Sequence, residues 1–476
     1  MKKEMLIVLL IFFTVIIFSI IVIADTKDHS PTWPQTKTTR PANMDLNGKI
    51  SLPGDFKLSQ FIDPSVCSDC HPEIYEQWDG GMHSFALKDP VFQKVTKLFL
   101  TQVETEKEKE EALSCVRCHS PVGHVTGELP TTEGDYSKVS ELGSKGVFCD
   151  FCHSVKASAG IGNAPFILEP GEGENNPGIK WGPYKDSESP FHGTEYSELH
   201  TRSEFCGMCH DVTHAGNDLP IEKTYTEWRG SPYNTLDPNT AINCQDCHMR
   251  QRLGIPSTGA TERPDNPGKA CVMGPDRKHI YTHYNVGGNG VVPFLLGDTL
   301  HTILARERLK NAAALEILAP DNFSSGNSGE FKIKVTNTGA GHYLPTGLTE
   351  IRQMWLEIRI LDDKGNTIFS SGTIDENGDL VPETRIFNTV LGDSKGNPTL
   401  NVAKGTYVIS DQRIPPKGNV IERFAFTVPK TNSLNIIAIL NYRSAPQSLI
   451  NSLFGKDAPA LPVTNMAQVS KKVAIK

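Results

Sequence analysis

The longest apolar stretch of the chain lies near its N-terminus. It runs from Met5 to Ala24, is interrupted only by Thr14 and Ser19, and follows two lysines. Lysines before such a segment hold that end in the cytoplasm and direct the rest of the chain across the membrane. A spanning helix needs about 20 apolar residues, whereas the apolar part of a signal peptide usually has about 7–15. Residues 1–24 are therefore predicted to be a signal peptide or an N-terminal membrane anchor, and both alternatives stay open.

The next segment, residues 25–60, has no apolar periodicity. Pro31, Pro34, Pro41 and Pro53 are spaced through it among Thr, Lys and Asn residues. This composition is typical of an extended linker. We expect it to separate the N-terminal segment from the domain that follows.

Residues 61–300 show only short helical patterns. Val91, Val95 and Leu98 follow helical spacing, and the charged run after them is expected to continue a solvated helix. The stretches 155–200 and 253–295 are rich in Gly and Pro and have no clear period. Loops of that length are uncommon in an ordinary packed domain. They are expected where a bound group takes the place of side chains in the interior.

The pattern changes again in residues 301–476, where apolar and polar positions alternate in several segments. Residues 298–318 are predicted to form a helix before them. Asp363–Asn366 has the composition of a hairpin turn. The predicted strands are Phe331–Val335, Met354–Ile360, Thr367–Phe369, Val420–Val428 and Leu434–Leu440. This pattern favours a β-sandwich of immunoglobulin type.

Five copies of Cys-x-x-Cys-His indicate the chemistry of residues 61–300. This is the attachment motif of c-type haem, in which both thiols bind the porphyrin edge and the histidine is the proximal iron ligand. A zinc site or a thioredoxin-like pair would account for one copy but not for five, each followed by His. The sequence predicts five haem c groups. The thioether cysteines are Cys67, Cys70, Cys115, Cys118, Cys149, Cys152, Cys206, Cys209, Cys244 and Cys247, and the proximal histidines are His71, His119, His153, His210 and His248.

Composition agrees with a haem-filled, sparsely helical domain followed by the β-sandwich. Hydrophobic residues make up 38% of the chain, and haem would supply part of the apolar interior. The motifs use ten of the 11 cysteines. Cys271 is left as an expected free thiol, with an intermolecular disulfide as the alternative. The net charge of -8 gives no basic surface for nucleic acid.

Each haem iron needs a second axial ligand or is open to substrate. The chain has 15 histidines, and those outside the motifs outnumber the five distal positions even without His29 of the linker. Ligation by two histidines at every haem is therefore possible, although the residues alone do not establish it. Met208 and Met249 adjoin motifs and are minor alternatives, which would raise the potential of a haem.

Segments around the motifs carry a family resemblance. The first motif is followed by Tyr75, Trp78 and His83. The third motif is preceded by Gly146-Val147-Phe148 and the fourth by Ser203-Glu204-Phe205. The fifth motif is preceded by Glu227–Tyr233 and followed by His283–Asn289. These segments resemble the multihaem cytochromes c related to hydroxylamine oxidoreductase and the nitrifier tetrahaem cytochrome. The resemblance covers about residues 60–300 and is strongest at the motifs.

The resemblance implies closely stacked haems, most of them with two histidine ligands. It gives His83, His124, His200, His214 and His283 as distal candidates, with His192, His279 and His342 in reserve. His342 lies in Gly341–Gly347, which resembles a segment found after the haems of some multihaem cytochromes. There it would bind a haem of the neighbouring domain and join the two domains. A packing or turn role for His342 is equally open.

Two departures from the family weaken an enzymatic interpretation. Its catalytic octahaem members have eight motifs, and the pentahaem nitrite reductases have a Cys-x-x-Cys-Lys motif that this sequence lacks. The leading hypothesis is an electron carrier without catalytic residues, outside the cytoplasmic membrane, either anchored there or released to the periplasm or cell surface. Its expected partners are other cytochromes or a quinol-linked membrane donor, and a homo-oligomer or filament is allowed.

The alternative hypothesis is a multihaem oxidoreductase of a small nitrogen or sulfur oxyanion. It requires one haem with an open coordination position, together with nearby acid–base or cationic groups. Tyr225, Arg277, Lys278 and Tyr281 are candidates for that role, and ordinary packing or solvation explains them equally well.

Overall fold

The computed structural model describes residues 43–476, apart from 132, 236, 238 and 239. The predicted signal peptide or anchor, residues 1–24, lies outside the described residues, as does the first part of the predicted linker. Within the described part of the chain, no helix combines the length and the apolar character needed to cross a membrane.

Helices are short throughout the motif-containing part of the chain. The predicted helix after Val91 is two helices, because Thr105 caps a new one with a side-chain hydrogen bond from the backbone N–H of Glu108. The α-helices are α1 Pro64–Ser68, α2 Pro72–Trp78, α3 Pro90–Gln102, α4 Glu106–Ser114, α5 Val116–His119, α6 Pro121–Val125, α7 Cys149–His153, α8 Ser203–Gly207, α9 Thr224–Arg229, α10 Cys244–His248, α11 Val291–Leu295, α12 Thr299–Leu309 and α13 Gln447–Phe454.

The motifs coincide with short helices or their last turns. Asp63 caps α1 by accepting from the backbone N–H of Ser65, and Asn243 begins α10 with a capping box completed by Asp246. Residues three and four positions apart share a helix face. One helical turn therefore brings the two cysteines and the histidine of a motif to the same side.

The strands fall into small pairs before residue 300 and longer sheets after it. They are β1 Val155–Ser158, β2 Phe166–Leu168, β3 Ile179–Gly182, β4 Gly193–Tyr196, β5 Val212–Thr213, β6 Pro220–Glu222, β7 Gly268–Lys269, β8 Asp276–Arg277, β9 Ala313–Leu318, β10 Asn322–Phe323, β11 Ser328–Asn337, β12 Gln353–Leu361, β13 Thr367–Ser371, β14 Ile386–Phe387, β15 Thr389–Asp393, β16 Pro398–Thr399, β17 Gly405–Asp411, β18 Asn419–Thr427, β19 Ser433–Arg443 and β20 Thr464–Ile475.

The described end of the predicted linker packs against β1 and β2. Met44 forms an isolated bridge with Ser158, and the backbone N–H of Ser51 donates to the carbonyl of Phe166 over 3.0 Å. Within residues 43–60, the part of the predicted linker that the structure describes, Met44 and Ser51 are thus packed against the motif-containing part.

The part after residue 300 is built from three sheets. One has the strand order β10-β20-β19-β12-β13, with β14 also paired to β12, and the others have the orders β18-β11-β9 and β16-β15-β17. The five predicted strand segments coincide with β11, β12, β13, β18 and β19, with Val428 one residue beyond the end of β18, and these predictions are confirmed. The predicted hairpin turn is also present, since the N–H of Gly365 donates to the carbonyl of Asp362.

A single hydrophobic cluster contains residues from the six-stranded sheet and from the sheet β18-β11-β9. Ile333 and Val335 of β11 belong to it together with Ile358 of β12 and Ile436 of β19, and all four are completely buried. Burial of each such side chain contributes about 1.5–3 kcal/mol. The alternating pattern of the sequence thus corresponds to one buried face on each sheet.

The predicted helix over residues 298–318 is wrong in its second half. Helix α12 ends at Leu309, and β9 begins at Ala313. Ala, Leu and Glu favour a helix locally. However, β9 pairs antiparallel with β11, with Leu315 opposite Val335, and that long-range pairing overrides local propensity.

Candidate haem-binding site

One continuous cavity connects all five motifs. It has a volume of about 1570 Å³, and all ten motif cysteines and all five motif histidines line it. The motifs are far apart in sequence, so the fold has collected their thiols and imidazoles around a single interior space. The donor set of this space, paired thiols with an adjacent imidazole, is the one that holds c-type haem.

Four of the motif histidines are oriented in the same way. Their Nδ1 atoms donate to backbone carbonyls, which can only accept, so each ring leaves Nε2 as its free coordinating nitrogen. The pairs are His71 with Ala270 (2.6 Å), His119 with Ala86 (2.8 Å), His153 with Trp181 (2.6 Å) and His248 with Val286 (2.9 Å). This arrangement fits proximal iron ligands with a fixed tautomer.

The fifth motif histidine has a different partner. His210 Nδ1 donates to Glu222 Oε1 over 3.2 Å, and Thr224 Oγ1 donates to the same oxygen over 3.2 Å. Burial raises the pKa of Glu222, but the bonds from His210 and Thr224 and the charge of Arg352 bring it below its usual value. His210 is therefore held by a carboxylate, whereas the other four rings are held by carbonyls.

Several non-motif histidines face motif histidines across the cavity. The separations between ring centroids are 6.3 Å for His83 and His210, 6.4 Å for His342 and His248, 6.4 Å for His283 and His153, and 5.8 Å for His200 and His153. Metal–imidazole bonds are about 2 Å long. Each separation therefore leaves room for one metal ion between two ring nitrogens.

His200 and His283 both lie near His153, and each offers one nitrogen. His283 Nδ1 donates to the carbonyl of Tyr281 over 3.1 Å, which leaves Nε2. His200 Nε2 donates to the carbonyl of Cys152 over 3.0 Å. Its buried Nδ1 has no hydrogen-bond partner among the described residues. His192 also lines the cavity, with Nδ1 bonded to the carbonyl of Gly193.

Two distal candidates from the sequence lie elsewhere. His214 Nε2 donates to the carbonyl of Ala403, and its Nδ1 accepts from the N–H of Gly216, so both of its ring nitrogens are engaged within the protein. His124 is buried in α6 outside the cavity lining. The non-motif histidines that line the cavity are His83, His192, His200, His283 and His342.

His192 and His342 are only secondary candidates for distal ligands in the sequence analysis. The third secondary candidate, His279, does not line the cavity. The local sequence around His192 and His342 gives no periodic signal, since both lie in loops. For His342 the resemblance of Gly341–Gly347 was the one sequence signal, whereas only the approach of its loop to the motifs distinguishes His192 from a histidine such as His214.

Thiols of different motifs contact one another. The thiols of Cys67 and Cys149, of Cys118 and Cys209, and of Cys206 and Cys244 lie close enough to interact. These interactions, together with burial, raise the pKa of the Cys118, Cys149 and Cys244 thiols well above the usual value. The first motif therefore adjoins the third, and the fourth adjoins both the second and the fifth.

A buried carboxylate fixes the loop that carries His342. Glu227 in α9 accepts hydrogen bonds from the backbone N–H of Tyr343 over 3.1 Å and from Thr346 Oγ1 over 2.7 Å. It also forms an ion pair with Arg413. The β-rich part of the chain is thus tied to the motif-containing part beside the cavity.

Comparisons with known proteins agree with this geometry. Residues 66–154 match the model of the family described as cytochrome c554 and c-prime, a range that contains the first three motifs. A search of curated proteins gave no match. A penta-heme cytochrome c552 from Thermochromatium tepidum is similar in structure, with a TM-score of 0.60 and 19% sequence identity over 87% of this chain and 100% of that chain.

Other solved structures match about a third of this chain. The sporulation control protein Spo0M from Bacillus subtilis has a TM-score of 0.17 at 12% identity, covering 35% of this chain and 49% of that chain. Similarity at that level carries no argument about fold or function. The family model and the cytochrome c552 structure, together with the motif geometry, support a multihaem c-type cytochrome.

Proposed function

We propose that this chain is an electron carrier that holds five c-type haems. The observation that carries the proposal is the single cavity lined by the cysteines and histidine of all five motifs. Haem iron supplies one-electron redox chemistry. The protein's contribution is to place the motifs beside one another and to fix the ligands, and the contacts between thiols of different motifs support close placement.

Ligation from both sides favours electron transfer over substrate binding, because a haem iron that has two protein ligands besides its porphyrin has no open position. We assign His83 as the partner of His210 and His342 as the partner of His248, from their ring separations. For His153, either His283 or His200 supplies the second ligand. His192 also lines the cavity, and we assign it to His71, whose imidazole lies close enough to interact with it.

We further propose that the protein acts on the outer side of the cytoplasmic membrane, where the haem motif is loaded. Residues 1–24 would be an anchor or a cleaved signal. Its partners would be other cytochromes or a quinol-linked membrane donor, and self-association into an oligomer or filament is compatible with this role. The relation to hydroxylamine oxidoreductase stays a prediction.

For the C-terminal part we infer a β-sandwich of immunoglobulin type. The hydrophobic cluster shared by the six-stranded sheet and the sheet β18-β11-β9 supports a two-layer arrangement. Its role would be to supply His342 and to cover the cavity from one side.

The test is a haem count combined with low-temperature EPR of the oxidised protein. We expect five haems per chain in a pyridine-haemochrome assay and mostly low-spin signals with two histidine ligands. The reduced protein should pass electrons to an added c-type cytochrome. Fewer than five haems, or a reduced protein that no cytochrome reoxidises, would contradict the proposal.

One observation favours a second function, a haem with an open position at His119. The ring of His119 stacks on Phe92 at 3.9 Å, and no second histidine is in ring contact with it in the described part of the chain. This supports the alternative of a multihaem oxidoreductase. Against an oxyanion substrate, Arg277 and Lys278 are paired with Asp186 and Asp265.

A high-spin EPR signal from one haem per chain would identify the open position. Nitrite, hydroxylamine and sulfite should then be added in turn to the oxidised and the reduced protein. A change of the high-spin signal with one of these compounds supports an enzyme. If none of the three changes the signal, the result supports electron transfer as the function.

A further inference from the structure

The partner of His210 distinguishes the fourth motif from the other four. A hydrogen bond to a backbone carbonyl offers the ligand's N–H a neutral dipole, whereas Glu222 offers it a carboxylate. A carboxylate partner raises the basicity of a metal-bound imidazole. A more basic ligand donates more charge and stabilises the ferric state over the ferrous state.

We propose that Glu222 is a positioning residue that lowers the reduction potential of the haem held by Cys206, Cys209 and His210. This inference rests on the proposed haem loading and deepens it. The one-electron reduction at this motif becomes less favourable, while the haems whose proximal histidines bond to carbonyls are not affected in this way.

The fold holds Glu222 in place on both sides. It ends β6 and pairs with Val212 of β5, so its backbone is fixed close to the His210 motif in sequence and in space. Thr224 Oγ1 shares the carboxylate oxygen with His210 and is itself bonded to Thr346 Oγ1 over 2.8 Å. The carboxylate is therefore aimed at the ring.

The neighbouring lysine does not neutralise this carboxylate. Lys223 Nζ is directed to Asp211 Oδ1 over 2.7 Å and to Thr213. The charge on Glu222 therefore stays available to His210, with Arg352 as a longer-range cation.

The position of the fourth motif gives this difference a consequence for electron flow. Its thiols contact Cys118 of the second motif and Cys244 of the fifth. A low-potential haem at this point separates the haems on its two sides. In the partly reduced protein, electrons would reside on those outer haems and cross the fourth site as an uphill step.

The experiment measures the five midpoint potentials by spectroelectrochemical titration, with EPR of samples poised along it. Glu222→Gln keeps an acceptor for His210 but removes the charge, so one potential should shift upward and one low-spin signal should change. Glu222→Asp keeps the charge, so the same midpoint potential should be lower in this variant than in Glu222→Gln. Glu188→Gln removes a carboxylate elsewhere on the cavity wall and serves as the matched control.

Thr224→Val provides a second, opposite test. It removes the hydroxyl that shares the carboxylate oxygen, so the charge acts more fully on His210 and one potential should shift downward. This variant also keeps the inference testable if Glu222→Gln loses its haem. In a His83→Ala background, Glu222→Gln should shift the potential of the haem that has become high-spin, which assigns the effect to the fourth motif.

The inference would be overturned if Glu222→Gln and Glu188→Gln had the same set of midpoint potentials. It would also be overturned if no midpoint potential shifted in Thr224→Val. Haem counts separate this failure from that of the proposed function. Five haems with unaltered potentials contradict only the role of Glu222, whereas fewer than five haems in the unaltered protein contradict the haem loading itself.

Discussion

The imidazole rings of His342 and His248 lie 6.4 Å apart with 25° between their planes. Nδ1 of His248 is bonded to the carbonyl of Val286, and Nδ1 of His342 is bonded to the carbonyl of Tyr343 over 2.9 Å. Both rings therefore keep Nε2 free. The β-rich part of the chain thus contributes an imidazole to a cavity that the motif-containing part otherwise builds.

Replacing His342 by Ala should convert one low-spin haem into a high-spin haem without changing the haem count, since the thioethers of the fifth motif stay intact. Ferric EPR with a haemochrome assay measures both quantities. His214→Gln is the matched control, because both nitrogens of His214 are engaged outside the cavity, and its EPR spectrum should be unchanged. An unaltered spectrum in His342→Ala would exclude it as a ligand.

Glu227→Gln should lower the free energy of unfolding by up to about 3 kcal/mol, because the largely buried Arg413 loses its buried carboxylate partner and keeps only the more exposed Asp411. Denaturant unfolding followed by circular dichroism measures the loss. Glu330→Gln removes one partner of the half-exposed pair with Arg423 and should cost less than about 1 kcal/mol. Equal effects of the two variants would show that the Glu227 network does not hold the two parts together.

Thiol labelling should distinguish Cys271 from the other cysteines. Cys271 is pinned beside the first motif, since Val272 N–H donates to the carbonyl of Cys70 and Ala270 accepts from His71. In the haem-loaded, denatured protein, maleimide should modify one thiol per chain, located at residue 271 by mass spectrometry. Cys271→Ser should give none. More than one labelled thiol in the denatured protein without the substitution would mean that a motif lacks its haem.

Asp89 should make stability depend on pH. Burial raises its pKa to about 6, against the lowering effect of hydrogen bonds from the Phe92 and Val91 N–H groups. A raised folded-state pKa contributes stability that is complete below the unfolded value near 4 and is lost as pH rises through about 6.

Asp89→Asn keeps an acceptor at the start of α3 but cannot ionise. Above pH 6, the free energy of unfolding of Asp89→Asn should exceed that of the unsubstituted protein by up to about 3 kcal/mol. Below pH 4 the two should be equal. Denaturation midpoints at pH 4, 6 and 8 test this. Asp135→Asn, at an exposed turn, is the control and should show no gain above pH 6. A constant difference between Asp89→Asn and the native chain at all three pH values would contradict the raised pKa.

Much of the fold could be predicted from the sequence where the signal was local. The strands around Ile333, Ile358 and Ile436 follow from alternation, because each side of a strand meets one environment. The boundary between α12 and β9 could not be predicted, because Ala313–Leu318 is a strand only through its pairing with β11. The packing of Met44 and Ser51 against the motif-containing part also depends on partners distant in sequence.

The sequence by itself determined the haem-attachment residues, because a covalent motif places two thiols and one imidazole within a single helical turn and needs no distant partner. The tertiary structure decided which other histidines reach those motifs. Of the distal candidates that the resemblance gave, His83, His200 and His283 line the cavity while His124 and His214 do not. The bond between Glu222 and His210 has no counterpart in the local pattern. Such contacts form between loops whose approach depends on the packing of the whole chain, so no short segment of the sequence encodes them.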